Sequence, residues 1–333
     1  MKLGIAGLPN VGKTSLFNLL TEGKSEVAPY PFTTIQRNIG VAKISDERFS
    51  RLVEAIKPTR STPAQIEIVD IAGLVEGASR GEGLGNQFLA NIRDVDLLIH
   101  LLRSFASETI SHPYTEVDPV RDYEVIRSEF LLSDLEIIER RMKKLSKLGG
   151  EERKRLEEIA ELLRAGTPPP LTPELKSYGL ISPKPELIVI NGDEFTTPPP
   201  LNAYPISIKL EEEMAGLPED EKRSFRREYG LDPRGPGGII MEAIGRLDMV
   251  FFYTIKGEEA RAWIIRGGTK AIDAAGMIHS DMKKGFIKAE VASVEDIITL
   301  GGFSSAQEKG KVRTEGKDYR IKDGDVLLIR FHT

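Results

Sequence analysis

MKLGIAGLPNVGKT, residues Met1 to Thr14, sets a short apolar strand directly ahead of a glycine loop, and its last eight residues, Gly7 to Thr14, satisfy the pattern G-x-x-x-x-G-K-[ST]. Between a strand and a helix this pattern is a phosphate loop. Its glycines let successive backbone amides turn inward around phosphate oxygens, and the helix start behind them adds positive potential. Lys13 is set to reach the β- and γ-phosphates, and Thr14 to offer a hydroxyl to Mg2+. The nucleotide-binding set on this side is Asn10, Val11, Gly12, Lys13, Thr14 and Ser15. A chance glycine turn is the competing reading, and it leaves the flanking strand and helix unexplained.

Apolar runs recur at Leu3 to Ala6, Ile66 to Asp70, Asp96 to Leu102, Glu186 to Ile190 and Tyr204 to Ile208, each bounded by loop residues. Such runs predict strands buried on both faces of a parallel sheet. With Lys13 to Leu20 as the helix behind the loop, the fold class is α/β, a doubly wound sheet of the P-loop NTPase type. IEIVDIAGL puts Asp70 at a strand end, where it is expected to hold Mg2+ through water, and Gly73 where its amide meets the γ-phosphate. In the loop APYPFTTIQRN, Thr33 or Thr34 is expected to close on the γ-phosphate and Mg2+ and to be released after hydrolysis. Gly77, Gly81, Gly83 and Gly85 give the segment after Asp70 the freedom of a second switch, the alternative being an ordinary loop.

From about Asp118 to Ala165 the chain turns rich in Glu, Lys and Arg, with Leu131, Leu135, Ile138, Met142 and Leu145 spaced as a heptad seam. After Gly149 and Gly150 the seam resumes with Leu156, Ile159 and Leu163, which predicts an inserted antiparallel helical hairpin. The stretch TPPPLTPELKSYGLISPKPE ends it. FFYTIKG, ARAWIIRGG and DYRIKDGDVLLIRFHT then read as strands, with Lys270 to His279 as a short helix, in a small mixed β domain. The expected layout is a nucleotide domain over 1–110, the hairpin and its proline-rich return over 111–183, the rest of the nucleotide domain over 184–247, and the β domain over 248–333.

A chain of 333 residues calls for two or three domains, because one core seldom grows beyond roughly 250 residues. The net charge of −5 forces neither nucleic-acid nor membrane binding, so a basic partner surface has to be local. The absence of cysteine excludes disulfides, thiol catalysis and cysteine zinc sites, and suits a reducing compartment. With no apolar run of about 18 residues, a soluble cytoplasmic protein without a targeting segment is expected. His100, in a predicted buried strand, reads as a satisfied core histidine, and Trp263 as part of the β-domain core.

Through GLPNVGKT, YPFTTIQRN, DIAGLVEGASRGEGLGNQFL, IRDVDLLIHLLRSF, RAWIIRGGTKAIDAAGMIHSDMKKGFIKAEV and GKDYRIKDGDV, the chain resembles the Obg-like ATPases of the YchF type over nearly its full length. The resemblance implies a nucleotide domain, an inserted helical hairpin and a closing β-grasp domain, called TGS, together with ribosome association. Thr-Ile also stands at this point in related switch loops, which favours Thr34. The implied catalytic set is Lys13, Thr34, Asp70 and Gly73, with Mg2+ on Thr14, Thr34 and, through water, Asp70. Leu74 stands where Ras-like GTPases carry a water-orienting glutamine, and a leucine cannot polarise water, so a slow hydrolase is implied. Asn10 matches a loop asparagine of potassium-dependent relatives and points to K+ as an assisting cation, or else only to the loop turn.

GTPases usually read guanine with N-K-x-D, whereas here Asn191, Gly192, Asp193 and Glu194 follow the strand as N-x-x-E, resembling the family variant associated with ATP. Gly192 is unusual there, and Asp193 leaves the register open by one residue. Around Ser207, ISIK resembles the final base-contacting loop, with Ile208 for the common alanine. The base-side set is therefore Asn191, Glu194 and Ser207. Arg37 in IQRN replaces a commoner proline, and the hairpin is shorter than in typical members. Arg140, Arg141, Lys143, Lys144, Lys147, Arg153, Lys154 and Arg155 gather about the hairpin tip, as a ribosomal RNA contact or as an ordinary solvated face. Three functions follow from this reading. They are a slow ATPase switch on the ribosome, an Obg-like GTPase of ribosome assembly, and a nucleotide-gated protein adaptor.

Overall fold

A computed structural model describes residues 1–23, 25–27, 38–71, 89, 91–144 and 150–332. The expectations placed on Thr33, Thr34, Arg37, Gly73, Leu74, Gly77, Gly81, Gly83 and Gly85 lie outside the described residues, as do those on Leu145, Lys147 and Gly149. The chain divides into two compact units, one formed by Met1–Ala42 with Glu67–Ala243 and the other by Lys43–Ile66 with Ile244–Thr333. No helix among the described residues is long and apolar enough to cross a membrane.

The first unit is built on β1 (Lys2–Ala6), which α1 (Lys13–Leu20) follows directly after the glycine loop. β2 (Ser25–Val27) and β3 (Asn38–Lys43) come next, then, after α2 (Glu47–Ile56) and β4 (Arg60–Thr62) of the second unit, β5 (Gln65–Asp70), β6 (Leu97–Arg103), β7 (Glu186–Asn191) and β8 (Tyr204–Ile206). The sheet runs β2-β3-β5-β1-β6-β7-β8. β1 lies parallel to β5 on one side and to β6 on the other, so Leu3 and Ile5 meet neither sheet edge nor water and are fully buried. Burial of one such side chain contributes about 1.5–3 kcal/mol. The pairings Ile5 with Asp70, Ala6 with His100 and Arg103 with Asn191 bring the carboxyl ends of β1, β5, β6 and β7 to one edge. In open parallel sheets that edge is where ligands bind.

α3 (Pro119–Lys144) and α4 (Glu151–Arg164) form the predicted helix pair. Ile138 packs with Leu156, Ala160 and Leu163, and Leu131, Leu135, Met142 and Ile159 close around them, as the heptad spacing requires. Fully buried Asp134 accepts hydrogen bonds from the amides of Ile181 and Ser182 at 2.7–3.0 Å, fixing the return of the chain beyond α5 (Pro173–Ser177). His100 is buried as expected; its ring nitrogens have no hydrogen-bond partner among the described residues, and Nδ1 lies 3.7 Å from Glu186 Oε2. The predicted strand Tyr204 to Ile208 stops at Ile206, because the hydroxyl of Ser207 accepts from Leu210 N at 3.3 Å and starts α6 (Ile208–Glu213). α7 (Glu219–Glu228) follows, then α8 (Gly235–Arg246).

The second unit departs from the layout read along the sequence, in which 1–110 belonged to the nucleotide domain. Residues 43–66 belong instead with the C-terminal strands. Asp46 caps α2 through Arg48 N at 3.0 Å and accepts the Tyr253 hydroxyl, while Phe49 stacks on Tyr253 at 5.9 Å. β4 adds in parallel to β10 (Glu259–Arg266) at the edge of a sheet ordered β12-β11-β13-β9-β10-β4, with β9 (Met249–Lys256), β11 (Phe286–Ser293), β12 (Arg313–Glu315) and β13 (Asp325–Phe331). β9 and β10 form a hairpin, and β13 lies parallel to β9. Packing α9 (Ala271–Ile278) on this sheet buries Ala271 and Ala274 against Phe252, Ile265, Val291 and Leu327, a β-grasp arrangement. α10 (Ser280–Lys284) follows α9, while α11 (Val294–Leu300) and α12 (Phe303–Glu308) follow β11. Trp263 packs only partly buried against that core, with Nε1 donating to Thr254 Oγ1 at 2.9 Å.

Arg226 of α7 forks onto Glu211 of α6 at 2.7 and 2.8 Å, and both side chains are 4% exposed. Removing one partner strands a buried charge, which typically costs about 3–5 kcal/mol, whereas replacing both with apolar groups costs much less. Arg226→Met is therefore expected to destabilise the protein strongly in urea titrations. Adding Glu211→Leu is expected to restore part of the loss, and a double variant no more stable than Arg226→Met would contradict this account.

Candidate nucleotide site

The phosphate loop leaves β1 through a gap that only glycine fits. A Cβ at Gly7 would lie 2.4 Å from the Leu101 carbonyl oxygen of β6. At the other end Gly12 has φ 101°, and a Cβ there would meet Asn191 Nδ2 at 2.9 Å and Ile208 Cδ1 at 3.0 Å. Asn10 takes the left-handed φ of 63° within the turn. The first turn of α1 has no side-chain cap and no acidic residue, so its backbone amides face the loop as an anion-binding end.

Lys13 is 8% exposed, and its Nζ donates to the Leu8 carbonyl at 2.7 Å. Burial pushes its pKa down to about 8, with the charge of Asp70 acting in the opposite direction. Thr14 Oγ1 donates to Asp70 Oδ2 at 2.9 Å, which joins the start of α1 to the end of β5. Val11 is buried and Ser15 half-buried. Lys13, Thr14 and Asp70 thus sit together at the carboxyl edge of the sheet, presenting one cation and two oxygen groups beside a helix amino terminus.

On the base side, the side chain of Asn191 is used at both ends. Its Nδ2 donates to the Val11 carbonyl at 3.1 Å and its Oδ1 accepts from Ile208 N at 3.1 Å. Asn191 therefore bridges the phosphate loop and the start of α6, where Ser207 is buried as the cap. Asp193 and Glu194 are exposed just beyond the strand. Two residues that the sequence reading passed over also reach the loop. Ser111 accepts from Asn10 Nδ2 at 3.2 Å through both its carbonyl and its hydroxyl, and Arg103 donates to the same carbonyl at 3.3 Å. The signal for Arg103 was present, since LLIHLLR carries a charged residue at the end of a strand buried along its whole length.

The C-terminal domain model of YchF GTPases, described as a protein of unknown function, matches residues 249–332, and the model described as a 50S ribosome-binding GTPase matches residues 2–133. The ribosome-binding ATPase YchF of Bacillus subtilis is 39% identical over 360 aligned residues, covering 99% of this chain and 98% of that protein. Its Haemophilus influenzae counterpart is 40% identical, with 99% of each chain covered. The solved structure of the Schizosaccharomyces pombe YchF GTPase superposes with a TM-score of 0.82 at 30% identity, covering 99% of this chain and 97% of that one. With the phosphate loop, the sheet and the C-terminal domain all matched at full length, the chain belongs to the YchF family of P-loop nucleoside triphosphatases.

Proposed function

We propose that this chain is a slow ATP-hydrolysing switch that associates with the ribosome. The observation that carries the reading is the cluster of Lys13, Thr14 and Asp70 around an uncapped helix start, in a chain 39–40% identical to proteins named ribosome-binding ATPases. In the reaction, water forms a bond to the γ-phosphorus as the bond to the bridging oxygen breaks, and ADP leaves with the electron pair. Lys13 and the loop amides bind the phosphates, Thr34 and Gly73 close on the γ-phosphate from the switch segments, and Leu74 leaves the attacking water without a polar orienting group.

Mg2+ fits the donor set, because Thr14 Oγ1 and Asp70 Oδ2 are hard oxygen ligands already 2.9 Å apart. Thr14 and Thr34 would hold it directly and Asp70 through water, and its contribution when bound is to neutralise charge on the phosphate oxygens. K+ is supported at Asn10 by atom identity. The Ser111 carbonyl can only accept, so the atom facing it is Nδ2, and the amide oxygen is left to meet a cation. Faster hydrolysis in potassium than in sodium salts is the expected outcome, and equal turnover in the two would remove Asn10 from that role.

Asn191 gives one amide hydrogen and one oxygen lone pair to the protein and keeps a second amide hydrogen for the base, beside the exposed pair behind it, Asp193 and Glu194, and Ser207. Guanine presents two donors that a well-placed aspartate accepts together, and adenine lacks both. A longer Glu194 in that place disfavours guanine by about 1–3 kcal/mol, roughly one to two orders of magnitude in affinity. Competitive titration with ATP and GTP, with Lys13→Ala as a control expected to lose both, tests this reading. A clear GTP preference would favour the ribosome-assembly GTPase, in which Asp193 reads the base, and undiminished binding by Lys13→Ala would displace the site altogether.

Ribosomal RNA contact is assigned to the hairpin of 111–183 and to the C-terminal domain of 248–333, read as TGS. At the tip Arg141 pairs with Glu152 at 3.3 Å and lies over Tyr178 at 4.0 Å, whereas Arg140, 4.0 Å from Glu136, keeps its side chain 70% exposed and Lys144 and Lys154 are exposed. Replacing Arg140, Lys144 and Lys154 together with Gln is expected to weaken ribosome co-sedimentation and flatten its salt dependence while intrinsic hydrolysis is retained. Sedimentation equal to the unaltered chain would make the tip a solvated face and leave the adaptor reading to the C-terminal domain.

A further inference from the structure

Arg103 closes β6 with a guanidinium that is almost completely buried, the residue being 1% exposed. Its nitrogens donate to three main-chain carbonyls, those of Phe105 at 3.1 Å, Ile110 at 3.1 Å and Ser111 at 3.3 Å, and the group lies 4.3 Å from the centre of the Phe105 ring. A buried cation met by carbonyls is costly to desolvate, and its fork of donors does one thing a neutral side chain cannot. It gathers three carbonyls of one short loop to a single point. The loop so gathered is held at its start, where Ser104 N donates to the Asn191 carbonyl at 2.8 Å. At its end the Ser111 carbonyl takes the Asn10 amide as well as Arg103.

We propose that Arg103 is a positioning residue for the phosphate loop, acting through the Ser111 carbonyl on Asn10. Asn10 holds a left-handed φ of 63°, which asparagine tolerates better than other non-glycine residues, and a side-chain hydrogen bond helps to hold it there. The tether to Ser111 supplies that hold, and Arg103 fixes where Ser111 stands. The anchor at Asn191 places the same loop against the residue that grips Val11 from the other side. The phosphate loop is thus held by two strand ends, β7 through Asn191 directly and β6 through Arg103 indirectly.

This inference rests on the nucleotide reading of the site, and a double-mutant cycle separates the two. Fluorescent methylanthraniloyl-ADP and its guanine counterpart are titrated into the full chain, Arg103→Gln, Asn10→Ala and the double variant, with Lys13→Ala as the control for the site itself. Arg103→Gln is expected to weaken binding about tenfold and to raise KM more than it lowers kcat. In the Asn10→Ala background the same change is expected to add little, because its route is already cut. Losses that multiply in the double variant, or unaltered affinity in Arg103→Gln, would overturn the proposal. Should Arg103→Gln fold poorly, Arg103→Lys keeps the buried charge but loses the fork that reaches all three carbonyls, and its loss is likewise expected to vanish beside Asn10→Ala. Absence of binding by the unaltered chain would overturn both the inference and the nucleotide reading.

Discussion

The side-chain amide of Asn191 is the constraint on which the site depends. It stands at the end of β7, opposite Arg103 in the sheet register, and reaches the Val11 carbonyl on one side and the Ile208 amide on the other. A buried amide deprived of either partner costs about 1–3 kcal/mol, so this side chain couples the loop before α1 to the loop before α6. The same contact explains the glycine at 12, where a Cβ would drive into Asn191 Nδ2. An asparagine read along the chain as part of a base-recognition motif is therefore first a brace between two loops.

Around that brace the protein keeps positive charge out of water. Lys13 is buried against a loop carbonyl, and the first turn of α1 carries no side-chain cap. Burial lowers the pKa of Lys13, a sign that the folded chain bears its charge at a cost that an anionic phosphate would relieve. Such local unfavourable choices are the usual mark of a binding site, where stability is given up for readiness.

The second unit shows how far chain order and spatial order diverge. α2 offers an apolar face through Phe49 and Leu52, and its neighbouring Arg48 and Arg51 pair with Asp323 at 2.6 Å and Glu295 at 2.7 Å. Surface pairs of this kind contribute little alone. Buried Phe49 and Leu52, the Asp46 cap and the edge pairing of β4 supply the reason for the segment to join the C-terminal strands.

What the sequence determined alone was whatever depends on neighbours along the chain. Gly7 to Thr14 define the phosphate loop because strand, glycines, lysine and helix follow one another, and β1 and α1 form where those residues predict. The hairpin seam was legible for the same reason, since a heptad is a local period and Ile138 and Leu156 obey it. The tertiary structure decided what depends on residues far apart. Ser207 ends a strand because its hydroxyl and the side chain of Asn191 catch the amides of a new helix, and no window around 204–208 contains that partner. Residues 43–66 join the second unit because their partners, such as Tyr253 and Asp323, come 207 and 275 residues later. Arg103 looked like the end of an apolar run until the fold brought Arg103 and Asn10 to the same Ser111 carbonyl. Periodicity reports which face of an element is buried, and only the folded chain reports against what.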